Sequence, residues 1–202
     1  MKKLLVFLYC VTVSISFNAQ NEENDWRQEI LNYQNELNAK FINPETTILR
    51  ANDFRAFEGL EFYPVDLNFR VEAKLIKTPD ELPFQMLTNT DRLPLYVKYG
   101  ELHFKIEGGD FKLDVFQPAE TIPEYEDYLF LPFTDLSNGD GSYGGGRYID
   151  LRTTDATTMI LDFNKSYNPY CAYNPRYSCP IPPEQNDLKI FIAAGVKDFE
   201  MK

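Results

Sequence analysis

The chain has 202 residues, 44% of them hydrophobic and 15% aromatic, including 16 Phe, 13 Tyr and a single Trp. That is enough apolar side chain to build one core, so a wholly disordered chain is excluded. The formal net charge of −11 argues against a nucleic-acid partner, because phosphate binding needs clustered Lys and Arg, and a single His rules out His-rich zinc sites.

The first 20 residues read as a secretory signal peptide. Lys2 and Lys3 form a positive start, residues 4–17 are apolar or small, and Ala19 supplies the small residue at a cleavage site. The apolar run is too short and wrongly flanked for a membrane helix. Cys10 is not placed for lipidation, since bulky Tyr9 precedes it and the apolar run continues beyond it. The expectation is an exported protein, periplasmic or extracellular, with no stable membrane insertion after cleavage and with residues 21–202 as one β-rich domain.

Residues 24–41 carry Trp26, Ile30, Tyr33, Leu37 and Phe41 at alternating spacings of four and three, a helical stripe. Glu22, Glu23 and Asp25 suit its start and Pro44 closes it. Beyond Pro44 the period changes to two. Strands are expected over residues 69–77, 95–99, 102–107, 111–115, 128–133, 147–152, 158–163 and 188–193. The alternating runs on either side of Gly108-Gly109 predict a hairpin. Eight short strands and one helix imply a mainly β fold: an antiparallel β-sandwich or partly open barrel with one N-terminal α-helix. His103 alternates with Leu102 and Phe104, which places it on the solvent face.

Residues 135–147 are acidic and Gly-rich. Read as a calcium loop from Asn138, the stretch has oxygen ligands at Asp140 and Ser142, but Tyr143 stands where glycine is required and no terminal Glu follows. It also lacks the Gly-x-x-x-x-Gly-Lys phosphate-loop pattern. The expectation is a flexible turn, or a mobile lid over a site, and no metal ligand set.

The next two strands hold the candidate chemistry. In residues 147–151, Arg147, Ile149 and Leu151 share one face and Tyr148 and Asp150 the other. In residues 158–164, Met159, Leu161 and Phe163 oppose Ile160, Asp162 and Asn164. If the two strands form a hairpin with both apolar rows on the core, Asp150 falls opposite Asp162. Facing carboxylates repel unless a shared proton, a cation or an arginine compensates, and a shared proton would make an acid–base pair. The alternative is that both are simply solvated on an outer face.

The Pro-, Asn- and Tyr-rich segment that follows contains Cys171 and Cys179, which in an exported chain read first as a disulfide. Closing so short a loop contributes about 2–3 kcal/mol in the chain-entropy picture. The bridged loop would present Tyr167, Tyr170, Tyr173 and Tyr177 as a rigid aromatic surface for a small molecule or glycan, or serve as a structural cover over a sheet edge.

Several strings here carry a resemblance. Tyr143-Gly-Gly-Gly-Arg-Tyr-Ile-Asp150, Leu161-Asp-Phe-Asn164, Asn168-Pro-Tyr-Cys-Ala-Tyr173, Cys179-Pro-Ile-Pro-Pro183, Asn186 and Ala194-Gly195 resemble a bacterial family catalogued as domain of unknown function 1684. Phe57-Glu-Gly-Leu60 and Gly100-Glu-Leu-His-Phe104 extend the likeness upstream. The family usually has Glu-Lys after Ala-Gly, where this chain has Val196 and Lys197. The resemblance implies no established activity and leaves any cofactor unknown.

Two readings of function follow. One is a small-molecule or glycan-binding pocket lined by Arg147, Tyr148, Asn164, Asn168 and Tyr170, with Asp150 and Asp162 as acid and base if the chemistry is hydrolytic. The other is a structural or interaction protein of the cell envelope whose polar cluster locks the Pro-rich loop to the sheet.

Overall fold

The computed structural model describes the backbone of residues 2–200 and the side chains of residues 22–200. The side chains of the expected signal segment, 1–20, lie outside the described residues.

Helix α1 spans Lys2–Ile42. A short helix α2, Ala51–Arg55, follows. Seven strands come next: β1 Arg70–Lys77, β2 Phe84–Gln85, β3 Leu95–Ile106, β4 Gly109–Pro118, β5 Tyr128–Phe133, β6 Arg147–Arg152 and β7 Thr158–Asp162. They form one antiparallel sheet in the order β6-β5-β4-β3-β1-β7, with β2 added beside β3. The sheet curls into a half-barrel, the partly open form of the expected architecture.

The period-two pattern earns its strands by burial. Ala73, Leu75, Leu102, Phe104, Ile106, Leu113, Val115, Leu129, Leu131, Phe133, Ile149 and Leu161 form the main core. The expected strands at 95–99 and 102–107 merge into β3, which is irregular between Lys98 and Gly100. Gly100 sits where any Cβ would lie 2.6 Å from the Ile76 carbonyl, so only glycine lets β3 approach β1 there. The β3–β4 hairpin forms with Ile106 paired to Gly109. Its two turn residues are Glu107 and Gly108, not Gly108-Gly109. Both have positive φ, 50° and 79°, as a type I′ turn requires.

Two expectations are corrected. Residues 188–193 form no strand, although Leu188 and Ile192 are buried in the main core. The segment crosses the sheet as irregular chain, with Leu188 N–H donating to the Thr134 carbonyl and the Ile190 carbonyl accepting from Leu136. Strands β6 and β7 do not form a hairpin. β6 pairs with β5 and β7 with β1, so the two lie at opposite ends of the strand order.

Helix α1 docks as its stripe dictates, with Trp26, Ile30 and Phe41 buried. Polar contacts fix its register. Trp26 Nε1 donates to Asp162 at 2.7 Å, Tyr33 Oη to the Lys165 carbonyl at 2.9 Å, and Asn38 Oδ1 accepts from Leu60 N–H at 2.7 Å.

His103, with a partly exposed side chain, lies beside Glu101 on β3, 2.9 Å from its Oε2. Lys98 and Lys112 reach the other carboxylate oxygen at 2.8 and 2.9 Å. Lys98, then Lys112 and His103, hold the Glu101 carboxyl down to about 2. A lowered folded-state value means that this contribution is present above the ordinary carboxyl range and is lost as pH falls through about 2. Glu101→Gln is therefore expected to lower unfolding free energy at pH 7 by about 1 kcal/mol. The gap from wild type should close near pH 2, as read by urea unfolding at both pH values; an equal gap at both would contradict the assignment.

Candidate functional site

The far face of β5 and β6 does not join the main core. Phe130 and Tyr148 pack there with Met86 and Phe116, bordered by Phe84, Tyr96, Tyr128 and Tyr167. Tyr148 stands edge-on to both Phe130 and Tyr167, with ring centres 4.7 and 5.8 Å apart. Over this aromatic floor opens a cleft of about 600 Å³. One wall comes from α1, with Tyr33, Glu36, Leu37, Lys40 and Phe41, and the other from the loop bearing Tyr167, Pro169, Tyr170, Ser178, Cys179 and Pro180.

Asp150 is the carboxylate on that floor. Its Oδ1 accepts from Tyr128 Oη at 2.9 Å and from Tyr167 Oη at 2.6 Å. Its Oδ2 takes no hydrogen bond among the described residues, and the residue is exposed. The tyrosines are held in the donor state. Burial, and after it the Asp150 charge, push both phenols well above their ordinary range. The site therefore presents a fixed carboxylate with one oxygen saturated and the other open, among aromatic faces.

Of the residues singled out from sequence, Tyr148, Asp150, Tyr167, Tyr170 and Cys179 line this cleft. Arg147, Asp162, Asn164 and Asn168 do not. Asp162 is buried at the end of β7, accepting from Trp26 Nε1 at 2.7 Å and from Asn164 N–H and Nδ2 at 3.0 and 2.9 Å. Arg70 adds a longer ion pair at 3.8 Å. In the sheet Asp162 faces Arg70, and Asp150 faces Phe130. The facing pair of carboxylates is therefore not formed. Asn164 is buried and ties residue 66 to this cluster, its Oδ1 accepting from Asp66 N–H and its Nδ2 donating to the Asp66 carbonyl, both at 2.9 Å. Asn168 is buried and donates to the Lys197 carbonyl at 2.8 Å.

Arg147 is corrected most sharply. The expected anion-holding side chain is 0% exposed. It pairs with Asp135 at 2.7 Å, donates to the carbonyls of Ile192 and Ala194, reaches Ser137 Oγ at 3.2 Å and lies over the Phe133 ring. A charge out of water needs partners, and here protein groups meet both terminal nitrogens, Nη1 and Nη2, while Nε is buried without a partner among the described residues. The Gly-rich loop is correspondingly pinned. Asp135 Oδ1 accepts from the N–H groups of Ser137 and Ile192, Asn138 Nδ2 donates to Ser142 Oγ and the Tyr143 carbonyl, and the Ser137 and Ser142 hydroxyls meet at 2.7 Å. Gly146 ends it at φ +89°, where a Cβ would lie 2.7 Å from the Phe133 carbonyl. A loop bonded this way is a fixed strut, in place of the flexible turn or lid expected.

The disulfide expected between Cys171 and Cys179 is not formed in this structure. Both are free thiols, adjacent in space, with the Cys171 N–H donating to Cys179 Sγ at 3.2 Å. Among the described residues no cluster of His, Cys, Asp and Glu could hold a metal ion.

The family model described as Protein of unknown function (DUF1684) matches residues 55–197. The chain belongs to this family. The matched span includes β1 to β7 and the loop wall of the cleft, while the α1 wall precedes it. An uncharacterized protein of Haloarcula marismortui, solved by solution NMR, is similar at 30% identity and a TM-score of 0.70, over 88% of this chain and 96% of that chain. The likeness thus extends to an archaeal protein. No curated protein matches the chain.

Sequence reasoning missed Tyr33, Glu36 and Lys40 as cleft residues, because a helical stripe announces packing and not what its edges overhang. It also missed the pairing of Tyr128 and Tyr167 on Asp150, for which no local signal exists.

Asp162→Ala leaves Trp26 and Asn164 without their acceptor. It is expected to cost about 3 kcal/mol. Emission from the single tryptophan should shift to the red as the helix loosens. Unchanged stability and emission would contradict the anchoring role.

Proposed function

We propose that this member of the DUF1684 family binds a small, polyhydroxylated, glycan-like ligand in the cleft between α1, the β5–β6 face and the 167–180 loop, and does so as an exported protein. The observation that carries the reading is Asp150: Oδ1 is saturated by two tyrosine hydroxyls and Oδ2 is left open on an aromatic floor. An acceptor fixed in this way selects a ligand that brings hydrogen-bond donors, and the surrounding rings suit the apolar face of a sugar. Tyr170, 47% exposed, is the most accessible ring at the mouth.

The acid–base form of this idea needs Asp150 and Asp162 in one pocket. Asp162 is committed to Trp26, Asn164 and Arg70, so the reading rests on binding. The export part rests on the charged, then apolar, first 20 residues. Cleavage there leaves Tyr33 to Phe41 in place, so the mature chain keeps both walls.

The test is titration with a panel of neutral disaccharides, followed by tyrosine fluorescence. Wild type is expected to bind at least one of them. Asp150→Asn should weaken binding about tenfold or more, the effect of one charged hydrogen bond, with the melting temperature unchanged. Unaltered affinity in Asp150→Asn, or no saccharide bound by wild type, would overturn the proposal.

A further inference from the structure

Cys171 and Cys179 do not figure in the binding argument, yet they are built as a pair with unequal roles. Cys171 is the middle residue of a single 3-10 turn, Tyr170–Ala172, that follows Pro169. Its thiol is half-buried, with the Tyr143 hydroxyl 3.9 Å from the sulfur. Cys179 is 6% exposed. Its backbone is clamped to a separate segment, with its N–H on Asn89 Oδ1 at 2.6 Å and its carbonyl accepting from Asn89 N–H at 3.1 Å. The Cys171 N–H then points at the Cys179 sulfur. Two thiols held side by side, one in a partly exposed residue and the other in a buried residue of the cleft wall, is the arrangement of an attacking and a resolving cysteine.

We propose that Cys171 and Cys179 are a reversible dithiol–disulfide centre, in which Cys171 attacks low-molecular-weight disulfides and Cys179 resolves the adduct. The protonation states agree with the geometry. The Cys179 thiol, then Tyr143 and nearby backbone N–H groups, hold the Cys171 thiol down to about 7 against the effect of burial. The neighbouring Cys171 and burial push the Cys179 thiol up, so it keeps its proton while Cys171 gives up its own.

The chemistry balances as two exchanges. The Cys171 thiolate attacks one sulfur of R–S–S–R, forming Cys171–S–S–R and expelling RS⁻. That thiolate takes the Cys179 proton and leaves as RSH. The Cys179 thiolate then attacks the Cys171 sulfur, closing the Cys171–Cys179 bond and expelling the second RS⁻. The protein loses two electrons and the small disulfide gains them. Because Cys179, Ser178, Pro180 and Tyr170 belong to one wall of the cleft, the bond staples that wall.

The test uses the full chain carrying Cys10→Ser, so that only these two thiols remain. The reduced protein is mixed with oxidised glutathione and followed by mass spectrometry. Wild type at the two sites is expected to lose two hydrogens and gain no adduct, and reduced glutathione should reverse this. Cys179→Ser should accumulate one glutathione on Cys171. Cys171→Ser should react about tenfold more slowly, and iodoacetamide labelling of Cys171 in Cys179→Ser should follow a single thiol titration. Two thiols that stay free under excess oxidised glutathione would overturn the proposal, as would no adduct in Cys179→Ser. So would a bridge that reduced glutathione cannot open, which would make the pair a fixed staple. Each variant's circular dichroism, unchanged from wild type, separates these outcomes from misfolding.

Discussion

The buried guanidinium of Arg147 is the constraint on which the rest of the architecture turns. It stands at the first residue of β6, and its bonds reach two otherwise separate pieces of chain: Asp135 and Ser137 in the Gly-rich loop just past β5, and the carbonyls of Ile192 and Ala194 near the C-terminus. A guanidinium taken fully out of water is costly unless it is paired and bonded, and here the planar fork meets a carboxylate, a hydroxyl and two carbonyls through its terminal nitrogens. The consequence is that a loop of 11 residues between the paired side chains, rich in glycine, is held rigid. The irregular C-terminal segment is likewise drawn over the sheet without needing a strand. The face of β6 turned away from this lock is thereby left free to floor a cleft.

The alternation of apolar and polar residues revealed most of the strands, because alternation records which side of a strand meets the core. It does not record which strand lies beside which. Leu151 and Leu161 both belong on the buried face, and this alone made a β6–β7 hairpin plausible. The backbone instead places β5 beside β6 and β1 beside β7, so the two aspartates end far apart in the strand order. Leu188 and Ile192 illustrate the same limit from the other side. They are as buried as strand residues, yet their backbone bonds go to Thr134 and Asp135 in an irregular path.

The candidate site was legible only in part for a related reason. Arg147, Asp162, Asn164 and Asn168 share one property in the sequence with Tyr148, Asp150 and Tyr170: they are polar or amphipathic and sit among aromatic residues. What separates the groups is where they face: Arg147, Asp162, Asn164 and Asn168 are buried away from the cleft, and Tyr148, Asp150 and Tyr170 line it. Asn164 uses both ends of its amide on Asp66, and Asp162 takes the indole of a residue 136 positions away. Such long-range partners leave no local trace. Asp150 differs because two phenols converge on one of its oxygens and none on the other. The two readings of the sequence, binding pocket and structural lock, therefore describe different residues of the same region.

The most direct test of that division is a double-mutant cycle across the buried pair, with Arg147→Met, Asp135→Leu and the double variant unfolded in urea. A lock predicts that each single change costs about 3–5 kcal/mol by stranding a buried charge. The double change should cost much less than their sum, because it removes both charges together. Additive costs, or an Arg147→Met variant as stable as wild type, would contradict the account.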